Sequence, residues 1–142
     1  SGPLEADCRA LAAKPQGSVN MSFIEPIAYG RGFYEYLGTY DFLMLPNLSE
    51  EQPRIIFDSF GQGMSIIASD TEGLVATCTH QENAIIFKRG DLDAMCEAIE
   101  YVVNHKSTIV ELGLNGLQYA KSRTHQRMHQ DREAFFKTIG LR

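Results

Sequence analysis

Three short runs, Tyr40-Asp41-Phe42-Leu43-Met44-Leu45, Ser65-Ile66-Ile67-Ala68-Ser69 and Ala84-Ile85-Ile86-Phe87, are continuous rather than alternating in apolar character. A run of that length and pattern suits a strand covered on both faces, which is the habit of parallel sheets. Pro46 closes the first run. Pro53 has the fixed φ and missing N–H tolerated at a first helical position, so a helix is expected from there to Phe60, with Gly61 and Gly63 ending it. Asp91 reads as the N-cap of a further helix, along which Leu92, Met95, Cys96, Ile99, Val102 and Val103 recur at helical spacing. The alternation predicts an α/β fold: a Rossmann-like, mainly parallel sheet with helices on both faces. Such sheets bind ligands outside the carboxyl ends of their strands, so the loops at 24–32, 47–53 and 70–76 are the expected site.

The flanks are less regular. Leu4 to Ala13 suits a short helix, Pro15-Gln16-Gly17 breaks it, and Val19-Asn20-Met21-Ser22-Phe23 alternates as a strand does. Phe33 to Thr39 predicts a brief helix. Ser107 to Ile139 reads as mostly helical, with Gly113 and Gly116 as soft points and Leu112, Leu117 and Ala120 on the buried face. No repeat or linker divides the 142 residues, so 1–142 is read as a single domain of a size that buries roughly 70% of its extended-chain surface.

Composition removes several classes of function. A net charge of −5 argues against a broad nucleic-acid-binding face, which needs clustered Lys and Arg to displace counterions. Cys8, Cys78 and Cys96 lack the paired spacing of a zinc or redox motif and read as buried reduced thiols. His125 and His129 stand four apart without a following Glu or an evident third ligand, so no metal site is expected there. With Lys121, Arg123, Arg127 and Arg132 they form a basic face that is solvated, or that touches an anionic membrane surface peripherally. No run approaches the roughly 20 apolar residues needed to span a bilayer, and the opening residues are neither basic nor apolar enough for a signal peptide. The chain reads as cytosolic.

The most informative stretch is Leu45-Pro46-Asn47-Leu48-Ser49-Glu50-Glu51-Gln52-Pro53-Arg54-Ile55-Ile56-Phe57-Asp58-Ser59-Phe60-Gly61-Gln62-Gly63. It resembles the signature of glycosyltransferase group 1, also called family 4, in which a loop Glu is followed after seven residues by a helical Glu; here these positions are Glu50 and Asp58. Ser65 to Asp70 resembles the family's buried strand ending in an acid or amide. Glu72-Gly73 stands at its Gly-Gly turn, and Glu82-Asn83-Ala84 and Gly90-Asp91 resemble its next strand and helix start. The resemblance implies the nucleotide-sugar-binding, C-terminal half of a GT-B architecture, lacking that half's first strand-helix-strand unit. An acceptor-binding N-terminal half is the expected partner, and the donor a UDP- or GDP-linked sugar, with no further cofactor.

Physical chemistry supports the same assignment. Free amides at a helix start, here at Gln52, Pro53, Arg54 and Ile55 (Pro53 contributing its fixed φ), and the positive end of the helix dipole suit a diphosphate without a metal. A carboxylate one to two turns on, at Asp58, can accept hydrogen bonds from both ribose hydroxyls. The resemblance implies that Glu50 faces the transferred sugar or its phosphate, and that the loop carrying Ile24 and Glu25 holds the base. Tyr29-Gly30-Arg31-Gly32 can approach a ligand closely, with Arg31 toward a phosphate. The bland alternatives are that Glu50 and Asp58 are solvated surface acids, that Ser49 and Gln52 merely cap the helix, and that His80, Lys88 and Arg89 are ordinary loop positions.

Departures from the family pattern are specific. Asp58 is one methylene short, Glu51 replaces a Gly and adds a charge that repels a diphosphate, Glu72 replaces the first Gly of a pair, Ala76 stands where a Glu is frequent, and Ala84 replaces a common Gly. They leave open a degenerate module that binds a nucleotide-sugar or a partner without transferring. A receiver-like signalling domain shares the alternation, but its acidic cluster follows the first strand, which is not seen here.

Overall fold

The computed structural model describes residues 2–14 and 19–140. Its elements run α1 (Glu5–Ala12), α2 (Arg31–Leu37), β1 (Phe42–Leu45), α3 (Ile55–Gly61), β2 (Ser65–Ser69), α4 (Glu72–Val75), β3 (Ala84–Phe87), α5 (Leu92–Asn104), α6 (Lys106–Ser122) and α7 (His125–Thr138). The three strands form a parallel sheet in the order β1-β2-β3, with Leu43 beside Ile66 and Ile67 beside Ile85. Each successive strand follows a helix, the connection that parallel pairing requires. The fold is the expected Rossmann-like α/β arrangement with helices on both faces.

The pleat divides the apolar side chains between two layers. On one face Leu43, Leu45, Ile66, Ala68 and Ala84 pack against Ile56 and Phe60 of α3 and Leu74 of α4. On the other, Phe42, Met44, Ile67, Ile85 and Phe87 meet Ala98 and Val102 of α5. Full burial of each large side chain is worth about 1.5–3 kcal/mol. Every residue of β2 is buried, whereas β1 is only half-buried along its length. The 40–45 run is covered on both faces as expected, and its partial exposure comes from its open side, since among the described residues β1 pairs with β2 alone.

Helix α6 joins the layers, with Ile109 and Leu112 in one and Tyr119 and Ala120 in the other. It passes beneath the amino end of β2, where a Cβ at Gly113 would lie 2.1 Å from the Gly63 carbonyl oxygen and one at Gly116 would lie 2.4 Å from the Phe60 ring. These glycines are not soft points; they are where α6 packs most closely. Gly63 has φ +73°, a left-handed turn that frees the chain from α3 to enter β2.

Other expectations shift in register. Helix α3 starts at Ile55, with Arg54 at its N-cap and no side-chain cap, so Pro53 precedes the first turn and Ser49 and Gln52 do not cap the helix. Asp91 does cap α5, accepting from the Ala94 amide at 3.0 Å. The buried stripe of α5 is Ala94, Met95, Ala98, Ile99 and Val102, while Leu92, Cys96 and Val103 lie off that face and are exposed. Of the thiols only Cys78 is buried, Cys8 and Cys96 being exposed.

Val19 to Phe23, expected as a strand, joins no ladder among the described residues and is exposed throughout. Its clearest side-chain contact is the Arg9 guanidinium, 4.5 Å from the centre of the Phe23 ring. The break expected at Pro15-Gln16-Gly17 lies outside the described residues. Helices α1 and α7 bury no residue. No helix among the described residues is long and apolar enough to cross a membrane.

Candidate active site

The loops that follow the carboxyl ends of the three strands converge on Glu50. Ser69, the last residue of β2, is buried, and its hydroxyl donates to the Asn47 carbonyl at 2.7 Å, which fastens the loop after β1 to the neighbouring strand. That loop then places the Glu50 carboxylate 2.7 Å from the Arg89 guanidinium beyond β3 and 3.4 Å from the Gly73 amide beyond β2. Asp70 completes the crossing: its carboxylate accepts from the Arg89 amide at 2.7 Å, and its own amide donates to the Phe87 carbonyl at 2.9 Å. Glu50 stays about 50% exposed, so the pair is an open ion pair at the carboxyl end of the sheet.

Gly73 is required here by packing, because a Cβ would fall 2.1 Å from the Glu51 carbonyl oxygen. One glycine of the expected pair therefore suffices to let the 50–52 loop lie on α4. The Glu51 carboxylate turns back to accept from the Asn47 amide nitrogen at 3.1 Å. The backbone amides of Arg54 and Ile55 donate no hydrogen bond among the described residues, whereas those of Ile56 and Phe57 are taken by the Pro53 and Arg54 carbonyls.

Asp58 belongs to a second cluster. One of its carboxylate oxygens accepts from the Tyr29 hydroxyl at 3.0 Å and from the Tyr34 hydroxyl at 3.2 Å, and the two hydroxyls also meet each other. The Tyr29 bond, then burial and then the Asp58 charge raise the Tyr34 phenol above its ordinary range. The cluster lines a cavity of about 940 Å³ between α3 and the α6–α7 corner, with Arg54 and Phe57 on one wall and Arg123, His125 and Met128 on the other.

Among the residues singled out from sequence, the structure thus sets Glu50 in the strand-end crossing and Arg54 and Asp58 in the neighbouring cavity, with Gln52, Pro53 and Ile55 on the connecting turn. Ile24 and Glu25 are exposed and touch neither cluster through a described polar contact. Arg31 is spent on an exposed ion pair with Glu35 at 2.7 Å and does not face the site. Two positions taken as ordinary loop are not: Arg89 holds Glu50, and His80 accepts the Ile86 amide at 2.9 Å. Tyr29 lies in the 29–32 segment singled out from sequence, but its partnership with Asp58, and Tyr34 altogether, were missed because no local pattern distinguishes a phenol that reaches across to α3 from an ordinary aromatic.

The chain matches the family model for glycosyl transferases group 1 over residues 1–105. A search of curated protein sequences gives no match. Among solved structures it is similar to sucrose-phosphate synthase from Thermosynechococcus elongatus, with 20% identity and a TM-score of 0.62 over 72% of this chain and 27% of that one. It is similar also to Anabaena HepE in complex with UDP, with 14% identity and a TM-score of 0.62 over 70% of this chain and 29% of that one. The chain spans less than a third of either structure's length. The family match covers most of the chain, and the chain belongs to the group 1 glycosyltransferases.

Proposed function

We propose that this chain supplies donor binding to a retaining, metal-independent transfer of a sugar from a nucleotide diphosphate to an acceptor. The observation that carries the reading is the meeting of all three strand-end loops at Glu50, because ligands of open parallel sheets sit outside the carboxyl ends of the strands. Glu50 orients the sugar and its phosphate, with Arg89 fixing the carboxylate. The unengaged amides of Arg54 and Ile55, on the turn that includes Gln52 and Pro53, receive the diphosphate, and cationic side chains rather than a metal balance its charge. Asp58 takes the ribose and the loop at Ile24 and Glu25 the base. No cofactor is needed beyond a UDP- or GDP-linked donor, and UDP is the ligand of the HepE structure. The acceptor site and the remaining diphosphate contacts come from an acceptor-binding domain that partners this one.

One observation favours a second reading, a module that has lost transfer: Asp58 already accepts two tyrosine hydroxyls, which a ribose must displace. Calorimetric titration with UDP, GDP and ADP tests donor binding, which a module that serves only a partner lacks. The donor reading expects one nucleotide to bind and Glu50→Gln or Asp58→Asn to weaken it at least about tenfold, some 1.4 kcal/mol. Unchanged affinity in both variants, or no binding by a folded chain, contradicts it.

A further inference from the structure

The cavity beside Asp58 carries more positive charge than its surroundings explain. In a chain of net charge −5, its walls bring together Arg54 from the start of α3 and Arg123 and His125 from the α6–α7 corner. The neighbouring Arg127 is paired with Asp131 at 3.0 Å, but neither Arg54 nor Arg123 has a carboxylate partner among the described ion pairs. Arg123 instead lies 5.0 Å from the centre of the Tyr119 ring, an arrangement that leaves the guanidinium N–H groups free at its edge. The single carboxylate in the cavity, Asp58, is engaged by Tyr29 and Tyr34 rather than by an arginine. Between these polar groups the wall is apolar, formed by Phe57, Met128 and the exposed face of Tyr29.

We propose that this cavity binds a phosphate monoester carried on an aromatic or apolar body. The body lies against Phe57, Met128 and Tyr29; the phosphate lies between Arg54 and Arg123 with His125 beside it. Cationic groups on opposing walls suit a dianion with three terminal oxygens better than a carboxylate, which offers two. The volume, about 940 Å³, is within the range of small-molecule sites. The site borders the donor assignment and shares Arg54 and Asp58 with it, but its phosphate rests on the Arg54 side chain, Arg123 and His125, and the donor assignment requires nothing of the last two.

The test is a titration of the whole chain with phenyl phosphate, followed through backbone amide shifts, with inorganic phosphate and phenol as comparisons. Phenyl phosphate is expected to saturate at a concentration at least about tenfold below either comparison and to move the amides of Arg54, Phe57 and residues 123–128. Arg54→Gln combined with Arg123→Gln abolishes that advantage while the β2 and β3 resonances stay in place. Arg31→Gln, which removes the same charge from an exposed ion pair, leaves binding unchanged. Lack of competition by UDP upholds a separate phosphate monoester, whereas full competition by UDP assigns the cavity to the donor and overturns it. Shifts confined to other residues, equal saturation by inorganic phosphate, or full binding by the double variant overturn it.

Discussion

β2 and the segment from Val19 to Phe23 are both five residues long and rich in apolar side chains, yet one is buried along its whole length and the other is exposed along its whole length. β2 has a hydrogen-bonded neighbour on each edge and a helical layer on each face. The 19–23 segment has neither among the described residues. An extended, apolar sequence is thus only half of a strand; the other half is an edge to pair with, without which the backbone groups stay with water. The same contrast divides the helices, since α3, α5 and α6 carry the core while α1 and α7 bury nothing.

Truncation should break this contrast most visibly. Phe60, fully buried, should lose about 3–5 kcal/mol on replacement by Ala, whereas Phe23→Ala should fall within about 0.5 kcal/mol of wild type, both read from urea unfolding. Next in size is the α6 crossing: Gly113→Ala forces a Cβ into the Gly63 carbonyl and should cost about 1–3 kcal/mol, while an Ala at Gly2, where no atom lies within 4 Å, should have little effect. Removing the α5 cap with Asp91→Ala should cost about 1 kcal/mol. The same change at the α7 cap, Thr124→Ala, should lower helicity locally and leave the global unfolding midpoint nearly unmoved, because α7 is not coupled to the core by burial.

Thiol chemistry sharpens the division at the smallest scale. Burial pushes the Cys78 thiol up to about 12, against 9.0 for an unperturbed cysteine. Iodoacetamide at pH 8 should therefore modify Cys8 and Cys96 in the folded chain and reach Cys78 only on unfolding. The folded state holds this proton more tightly than the unfolded one. The contribution is accordingly complete below about pH 9 and is lost as pH rises toward 12.

What was legible in the sequence follows the same line. The 65–69 and 84–87 runs and the Asp91 cap could be placed because their patterns are local and the neighbours that satisfy them exist. The strand at 19–23 failed because its pairing partner is not a local property. Gly113 and Gly116 read as weak helix formers, although each marks a contact with a segment some 50 residues away in the chain. At the site, the spacing of Glu50 and Asp58 was visible, and so was the loop that carries Glu50. Their partners were not. Arg89 lies 39 positions from Glu50 and Tyr29 lies 29 from Asp58, and only the tertiary fold brings each pair together.

Amide hydrogen exchange resolved by segment, with and without UDP, tests most directly the claim that a buried sheet presents its functional centre at the carboxyl ends of its strands. Slowest exchange is expected in β2 and β3, near-unprotected exchange at 19–29 without ligand, and UDP-dependent protection at 47–58, 70–73 and 88–90 together with the base loop at 24–25. Protection by UDP that appears only at 19–29 or in α7, or a β2 that exchanges as fast as the 19–23 segment, would contradict that claim.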